Sequence, residues 1–368
     1  MHLKDLDYNL PKDLIASRPL RPRDKSRLLV YDRKTKKTLH LHFYRCVDWL
    51  KAGDILVLND TKVLPARIRA RKITPESGLG RVYKILLVKK IRPDTWECLI
   101  EGKKRRVGQE LIFAKNLIGR IIDWRQGLWQ IKFNQSGKVL DKKLFGLGEA
   151  PLPPYIKKNS NDQFPISKQG RKDTYKDYYQ TVYAKKLGSV AAPTAGFHFT
   201  KKLLEKIKKK GIKILYLTLH VGPGTFLPIT SEDLRKHQMH SEFFEIKKDV
   251  WNKILKAKKE KRRVVACGTT TTRVLEFLAN RRHSRRERAG EKVIRGETNL
   301  FIYPPYKFKI VDALITNFHL PKTTLLALVA AFLVPGKMSG IRLVKKLYRL
   351  AISKKYRFYS FGDAMFIK

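Results

Sequence analysis

The 368-residue chain has only three cysteines, Cys46, Cys98 and Cys267. An odd number at wide spacing supports neither a disulfide framework nor a zinc site, and it suits a reducing compartment. Long apolar runs are missing as well. The longest, Leu325–Val334, is too short to span a bilayer and reads as a buried helix. The opening MHLKDLDYNLPKDL lacks the apolar stretch of a secretory leader. A soluble, cytoplasmic protein without membrane contact is therefore expected. Acidic residues are scarce: 32 Asp and Glu stand against 80 Lys and Arg, a formal charge of +48. Such an imbalance repels itself in a compact state, and a nucleic acid is the natural partner for it. A lysine-rich proteome would produce part of the same excess, because the basic residues are spread along the whole chain. Neither Gly-x-Gly-x-x-Gly nor the phosphate-loop Gly-Lys-Ser/Thr occurs at a strand end, so no NAD or ATP site is indicated. No internal repeat is found.

What is present suffices for a packed core. Hydrophobic residues make up 43% and aromatics 10%, which excludes dominant disorder, and the length allows two or three domains. LLVYDR (28–33) and DILVLND (54–60) are apolar runs, the second a buried strand ending in a polar turn. From Arg67 to Asn134 short β-type segments alternate with glycines. Trp129–Phe133 has the apolar–polar alternation of a half-buried strand. This block reads as a small β-barrel and ends at the stiff Pro151-Leu152-Pro153-Pro154. Beyond it the rhythm is strand–helix. Thr200 caps KKLLEKIKKK, and Gly211 ends it. IKILYLTLHV (212–221), RVVAC (263–267) and FKIVDALITNF (308–318) read as strands. An amphipathic helix is expected over Val250–Lys261, with helices at 322–334 and 341–353. Residues 281–295 form a charge-dense loop. The expected fold is an α/β main domain with an inserted small β-barrel: α/β over 1–65 and 151–368, barrel over 66–150.

Polar motifs gather where apolar strands stop, the edge at which open α/β sheets bind ligands. AAPTAGFHFT (191–200) brings backbone N–H groups and His198 together. LHVGPGTFLP (219–228) follows a strand with His220, Gly222, Gly224 and Thr225, the glycines allowing close approach of a ligand. HQMH (237–240) has two histidines at helical spacing, but no third metal ligand nearby. His240 followed by Glu242 reads better as a proton-transferring or hydrogen-bonding group. CGTTTTR (267–273) feeds a helix whose exposed N–H groups suit a carboxylate or phosphate. TNFHLPKTT (316–324) supplies Asn317 and His319. YRFYSFGDAMF (356–366) supplies Arg357, Asp363 and aromatics able to stack on bases.

These segments together, with LVLNDTKVLPAR (56–67), NLPKDLIASRPLRPRDKSRLLV (9–30) and GEAPLPPYI (148–156), resemble the S-adenosylmethionine:tRNA ribosyltransferase-isomerase family of queuosine biosynthesis. The resemblance runs in order over essentially the full chain. Departures are few: Tyr178 stands where an Arg is usual, Phe197 replaces Leu, a Thr replaces Ser in GTTTTR, and Tyr303-Pro304-Pro305 replaces Pro-Gly. The resemblance implies transfer and isomerisation of the ribosyl part of S-adenosylmethionine onto 7-aminomethyl-7-deazaguanine at the tRNA wobble position. It also implies S-adenosylmethionine as a consumed substrate, with no metal or bound cofactor, and a monomer is expected. Candidate catalytic residues are His198, His220, His240 and His319. Substrate-binding candidates are Asn59, Asp60 and Arg67; Thr194, Gly196 and Phe197; Gly222, Gly224 and Thr225; Glu242; Thr269, Thr270, Thr271 and Arg273; Asn317; and Arg357 and Asp363. The Thr269–Thr271 helix start suits the methionine carboxylate, and Asp60 or Asp363 could orient a histidine or the ribose hydroxyls.

Overall fold

Apolar residues of the first sixty positions form β1 (Arg27–Tyr31), β2 (Thr38–His42) and the fully buried β3 (Ile55–Asn59). The computed structural model describes residues 1–74, 78–125, 127–153, 155–156, 178–222, 224, 231–281 and 291–368. After β3 the short β4 (Thr61–Val63) leads into six strands that close a barrel. These are β5 (Arg67–Thr74), β6 (Gly78–Arg92), β7 (Thr95–Glu101), β8 (Glu110–Ala114), β9 (Leu117–Arg125) and β10 (Leu128–Phe133). Their order around the barrel is β10-β7-β6-β5-β8-β9, and every pairing is antiparallel. Ile85, Leu87, Cys98, Leu111 and Ile131 fill its interior. Helix α1 (Gly137–Leu147) closes one side with Leu140 and Leu144. The chain leaves beside its point of arrival: Arg67 N donates to Glu149 O (3.0 Å), and Glu149 N donates to Arg67 O (2.8 Å). Gly148 is required there, since a Cβ would lie 1.7 Å from the Pro65 carbonyl oxygen.

β11 (Lys186–Ser189) pairs with β4, and the large sheet then resumes. Its remaining strands are β12 (Lys213–Leu219), β13 (Glu242–Lys247), β14 (Val264–Cys267), β15 (Val293–Thr298), β16 (Ala313–Asn317) and β17 (Ala364–Ile367). The nine-stranded order is β15-β13-β12-β3-β14-β16-β17-β1-β2, with β12, β3, β14 and β16 parallel at its centre. β3, β14 and β16 are buried along their whole length, as strands covered on both faces must be. Alternate residues serve the two layers. Val57, Leu217, Ala266 and Leu314 meet α3 (Lys248–Lys259), α4 (Thr269–Asn280), α5 (Thr324–Leu333) and α6 (Gly340–Ser353). Leu56, Leu58, Val265 and Ile315 meet α2 (Lys201–Lys209) and the short helix Phe43–Trp49. The chain is thus an α/β unit interrupted between β3 and β12 by a closed β-barrel.

Local signals are realised where they were read. Thr200 caps α2 by accepting from Leu203 N (3.1 Å), and Gly211 takes φ +82° after its end. The strand read over 308–318 is shortened to β16. Buried Glu276 of α4 captures the N–H groups of Lys309, Ile310 and Val311 (2.8, 3.0 and 3.0 Å), which removes that backbone from the ladder. Of the charge-dense loop, 282–290 lie outside the described residues, and Val293 onward is β15. Among the described residues, no helix is long and apolar enough to cross a membrane.

Candidate active site

The four parallel strands deliver their C-terminal ends to one edge, so Asn59, His220–Gly222, Gly268–Thr270 and Asn317–His319 are neighbours there. The chain leaves β3 on one side for β12 and later returns on the other as β14, which makes this a topological switch point. A two-lobed cleft opens at this edge. Its first lobe, about 170 Å³, is lined by Gly224, His237, His240, Glu242, Arg273, Thr323 and others. The second, about 90 Å³, is lined by Thr194, Thr316, Asn317 and His319 among others. Val221, Thr269, Thr270, Leu325 and Tyr359 line both, so the start of α4 stands between the lobes.

The start of α4 is set by Gly268, whose φ of +88° and ψ of 155° turn the chain abruptly from β14 into the helix. The first N–H groups of a helix have no intrahelical acceptor, and here they face a cleft rather than a capping side chain. Thr271 and Thr272 take no part: their hydroxyls bond back to Cys267 O (2.7 Å) and Gly268 O (3.1 Å). Behind Thr270, Asn59 bridges β3 and β12. Its Nδ2 donates to Leu219 O (3.0 Å) and Thr270 Oγ1 (3.3 Å), while its Oδ1 accepts from Thr61 N and Leu219 N (both 3.1 Å). Asn59 therefore braces the site with every polar atom engaged.

A buried ion pair forms one wall. Arg273 Nη1 donates to Glu242 Oε2, Arg273 Nε donates to Leu300 O (2.9 Å), and Glu242 Oε1 accepts from Gly222 N (2.9 Å). Both side chains are under a tenth exposed. The pair ties α4, β13 and the Gly222 turn together, and removing one partner would strand a buried charge at a cost of about 3–5 kcal/mol.

The histidines separate by environment. His198 is buried, with Nδ1 2.7 Å from Ser26 Oγ and Nε2 accepting from Asn317 Nδ2 (3.2 Å). Burial, helped by the nearby Arg357 and Arg23 charges, pushes its pKa down to about 3. His319 lines the second lobe, with Nε2 3.0 Å from Thr316 Oγ1, and burial lowers it to about 3 as well. His220 lies outside the cleft, bonded to Thr61 Oγ1 (2.8 Å) and stacked on Phe243, and burial lowers it too. His240 is exposed at the rim of the first lobe. A Cβ on Gly224 would come within 3.0 Å of its ring.

The cleft thus gathers Thr194, Gly224, His240, Glu242, Thr269, Thr270, Arg273, Asn317 and His319. Other candidates lie elsewhere. Asp60 is bonded to Thr218 Oγ1 (2.6 Å), with its pKa raised by burial. Arg67 sits at the barrel junction and donates to Leu152 O (3.1 Å). A Cβ on Gly196 would lie 2.0 Å from the Tyr183 hydroxyl, so that glycine serves packing. Phe197 and Arg357 line a smaller cavity beyond His198. Asp363 caps backbone, accepting from Arg27 N (2.9 Å) and Arg357 N (2.8 Å). Thr225 lies outside the described residues. Among the described residues no group of three or more His, Cys, Asp or Glu is placed to hold a metal ion.

Tyr359 is the main residue that sequence reasoning missed. It lines both lobes at φ +73°, a strained conformation for a tyrosine. Its N–H donates to Phe318 O (2.9 Å), and its carbonyl accepts from Asn317 Nδ2 (3.1 Å) and Gly362 N (3.0 Å). The aromatic run 356–361 drew attention to this stretch, but nothing in it announced the backbone turn. Leu325 was hidden inside an apolar helix.

Known proteins with this layout are found over the whole length. A family model described as "Queuosine biosynthesis protein" matches residues 3–367. A Halothermothrix orenii protein named S-adenosylmethionine:tRNA ribosyltransferase-isomerase is 47% identical over 371 residues, covering 100% of both chains. A Thermotoga maritima protein of the same name is 45% identical over 372 residues, again covering 100% of both. The crystal structure of an S-adenosylmethionine tRNA ribosyltransferase from Thermotoga maritima matches with a TM-score of 0.53 at 35% identity, covering 99% of this chain and 100% of that one.

Proposed function

Because the chain belongs to the queuosine biosynthesis protein family, we propose that it transfers and isomerises the ribosyl moiety of S-adenosylmethionine onto 7-aminomethyl-7-deazaguanine at the wobble position of tRNA. The product is epoxyqueuosine in tRNA, with adenine and methionine released. S-adenosylmethionine is consumed as a substrate, no metal or resident cofactor takes part, and the enzyme works as a cytoplasmic monomer.

The observation that carries this reading is the start of α4, set between two lobes at the sheet's C-terminal edge. Its N–H groups and positive dipole end suit the methionine carboxylate. The ribose and adenine then extend past Tyr359 and Asn317, leaving the other lobe for the RNA's aminomethyl base. The sulfonium acidifies the adjacent ribose 5′ carbon. A base removes that proton, adenine departs, the RNA amine attacks the resulting electrophile, and ring closure to the epoxide-bearing cyclopentane expels methionine.

That base must be neutral and basic near working pH. His198 and His319, both held near 3, are neutral but weakly basic, and His220 lies outside the cleft. His240, exposed at the rim, is assigned as the base. His319 remains a neutral hydrogen-bonding group in the second lobe.

Mixing the protein with S-adenosylmethionine and tRNA carrying the aminomethyl base should release adenine and methionine, measured by chromatography, and unmodified tRNA should not support release. S-adenosylhomocysteine as the product would identify a methyltransferase instead. RNA binding with no turnover would leave a non-catalytic RNA-binding protein.

A further inference from the structure

Behind the Asn317–His198 pair lies a second, smaller cavity of about 20 Å³, lined by Arg23, Ser26, Tyr178, His198, Arg357 and Ser360 among others. That is room for about one water-sized atom. No Asp or Glu is among its lining residues. Arg357 reaches it with part of its guanidinium engaged: Nη1 donates to Arg18 O (3.2 Å), and Nε lies 3.8 Å from Asp363 Oδ1. Its Nη2 is buried and has no hydrogen-bond partner, the one cationic group in that condition among the described residues.

A buried guanidinium N–H without an acceptor is a costly state, so an acceptor supplied from outside should complete it. The local charge selects which kind. Arg23 and Arg357 are both at the cavity, and together with burial they keep His198 uncharged at neutral pH. The Asp363 carboxylate is turned away onto the backbone N–H groups of Arg27 and Arg357. Water would satisfy one N–H; an anionic oxygen would make a stronger, charge-assisted bond to a guanidinium that Asp363 approaches only to 3.8 Å, and on its Nε side.

We propose that this cavity is a phosphate subsite that takes one non-bridging oxygen of the RNA backbone, beside the nucleotide held in the cleft. The size fits, since a single oxygen enters while the rest of the phosphodiester stays at the open mouth. The position fits too. Ser360 lines both this cavity and the second lobe of the cleft, and the hydrogen-bonded pair His198 and Asn317 contributes one residue to each. A phosphate fixed here would set the register of the flanking nucleotide without reading its base. The proposal rests on the tRNA reading above.

The test uses the full chain and anticodon stem-loop RNAs in which single phosphates flanking the reactive base are replaced by uncharged methylphosphonate. Binding is measured by fluorescence anisotropy, with S-adenosylmethionine affinity followed in parallel. One linkage is expected to weaken wild-type binding about ten-fold. Arg357→Gln should weaken binding of the all-phosphate RNA similarly and become indifferent to that linkage. Its salt slope should fall by about 0.7, with S-adenosylmethionine affinity unchanged. Wild-type binding that is indifferent to every linkage overturns the subsite, a result that needs no variant to fold. So does an Arg357→Gln protein that keeps the full linkage effect. A wild-type chain that binds none of these RNAs overturns the tRNA reading, and the subsite with it.

Discussion

His240 and His319 line one cleft and differ in how much water reaches them, and the roles proposed for them rest on that difference. A buried imidazole resists protonation because the cation loses its hydration, so His319 sits near 3 while His240 stays open at the rim. His240→Ala should therefore lower adenine release by about 10²- to 10⁴-fold with little change in S-adenosylmethionine affinity. His220→Ala should leave the rate intact, because that ring is spent on Thr61 and Phe243. Full activity in His240→Ala would remove it as the base. Burial also has a consequence for stability. His198 and His319 titrate near 3 in the folded chain and near 6.5 when unfolded. As pH falls below about 6.5 the unfolded chain binds protons that the folded chain refuses until about 3. Stability from these groups is thus complete above about 6.5 and lost progressively below it, at up to about 1.4 kcal/mol per pH unit for each histidine. Urea midpoints should drop between about pH 6.5 and 4.5, and drop less steeply in His319→Gln. An unchanged slope in that variant would mean that acid sensitivity resides elsewhere.

Helix α4 joins the sheet to the cleft, and its geometry depends on one glycine. Gly268 occupies a backbone region essentially reserved for glycine, yet a Cβ there would meet nothing nearer than Ala195 Cβ at 3.6 Å. Gly268→Ala should therefore cost about 1–3 kcal/mol through backbone strain rather than collision, and should tilt the helix start away from the cleft. Wild-type protein is expected to bind S-adenosylmethionine more tightly than its decarboxylated analogue, and calorimetry on Gly268→Ala should show that preference shrink. A preference that survives undiminished would place the carboxylate elsewhere. The same helix shows what the sequence could disclose. The Thr200 cap, the strand-to-helix turn at Gly268 and the gathering of polar loops at strand ends are local patterns, and they were legible. Glu276 capturing the backbone of 309–311 was not, because the two segments meet only after folding. Nor was the engagement of His198, whose partners Ser26 and Asn317 lie 172 and 119 residues away. Polar residue types at a sheet edge can be read from sequence; which of them have unspent hydrogen-bonding capacity cannot.

At the scale of the whole molecule, the barrel core and the α/β unit are joined by two chain crossings that lie side by side. The barrel's cluster recruits Leu64 and Val190 from the α/β side, and the two backbone hydrogen bonds between Arg67 and Glu149 hold the chain's arrival and departure together. Because those ends already touch, the barrel is expected to be removable without stretching the remaining chain. It contributes exposed groups suited to RNA: Lys103–Arg106, Arg120, Arg125 and Trp124, the last 55% exposed and able to stack on a base. Replacing residues 68–148 by a short Gly/Ser link should preserve S-adenosylmethionine binding, since no residue of that stretch lines either lobe of the cleft. It should uncover Leu64 and Val190, at roughly 1.5–3 kcal/mol for each side chain fully exposed, so the shortened chain must be assayed well below its lowered melting point. Stem-loop RNA affinity, measured at two salt concentrations, should fall at least about ten-fold and with a shallower salt dependence. A shortened chain that folds, binds S-adenosylmethionine and keeps its RNA affinity would place the whole RNA footprint on the α/β unit. The +48 charge would then do its work around the cleft rather than on the barrel.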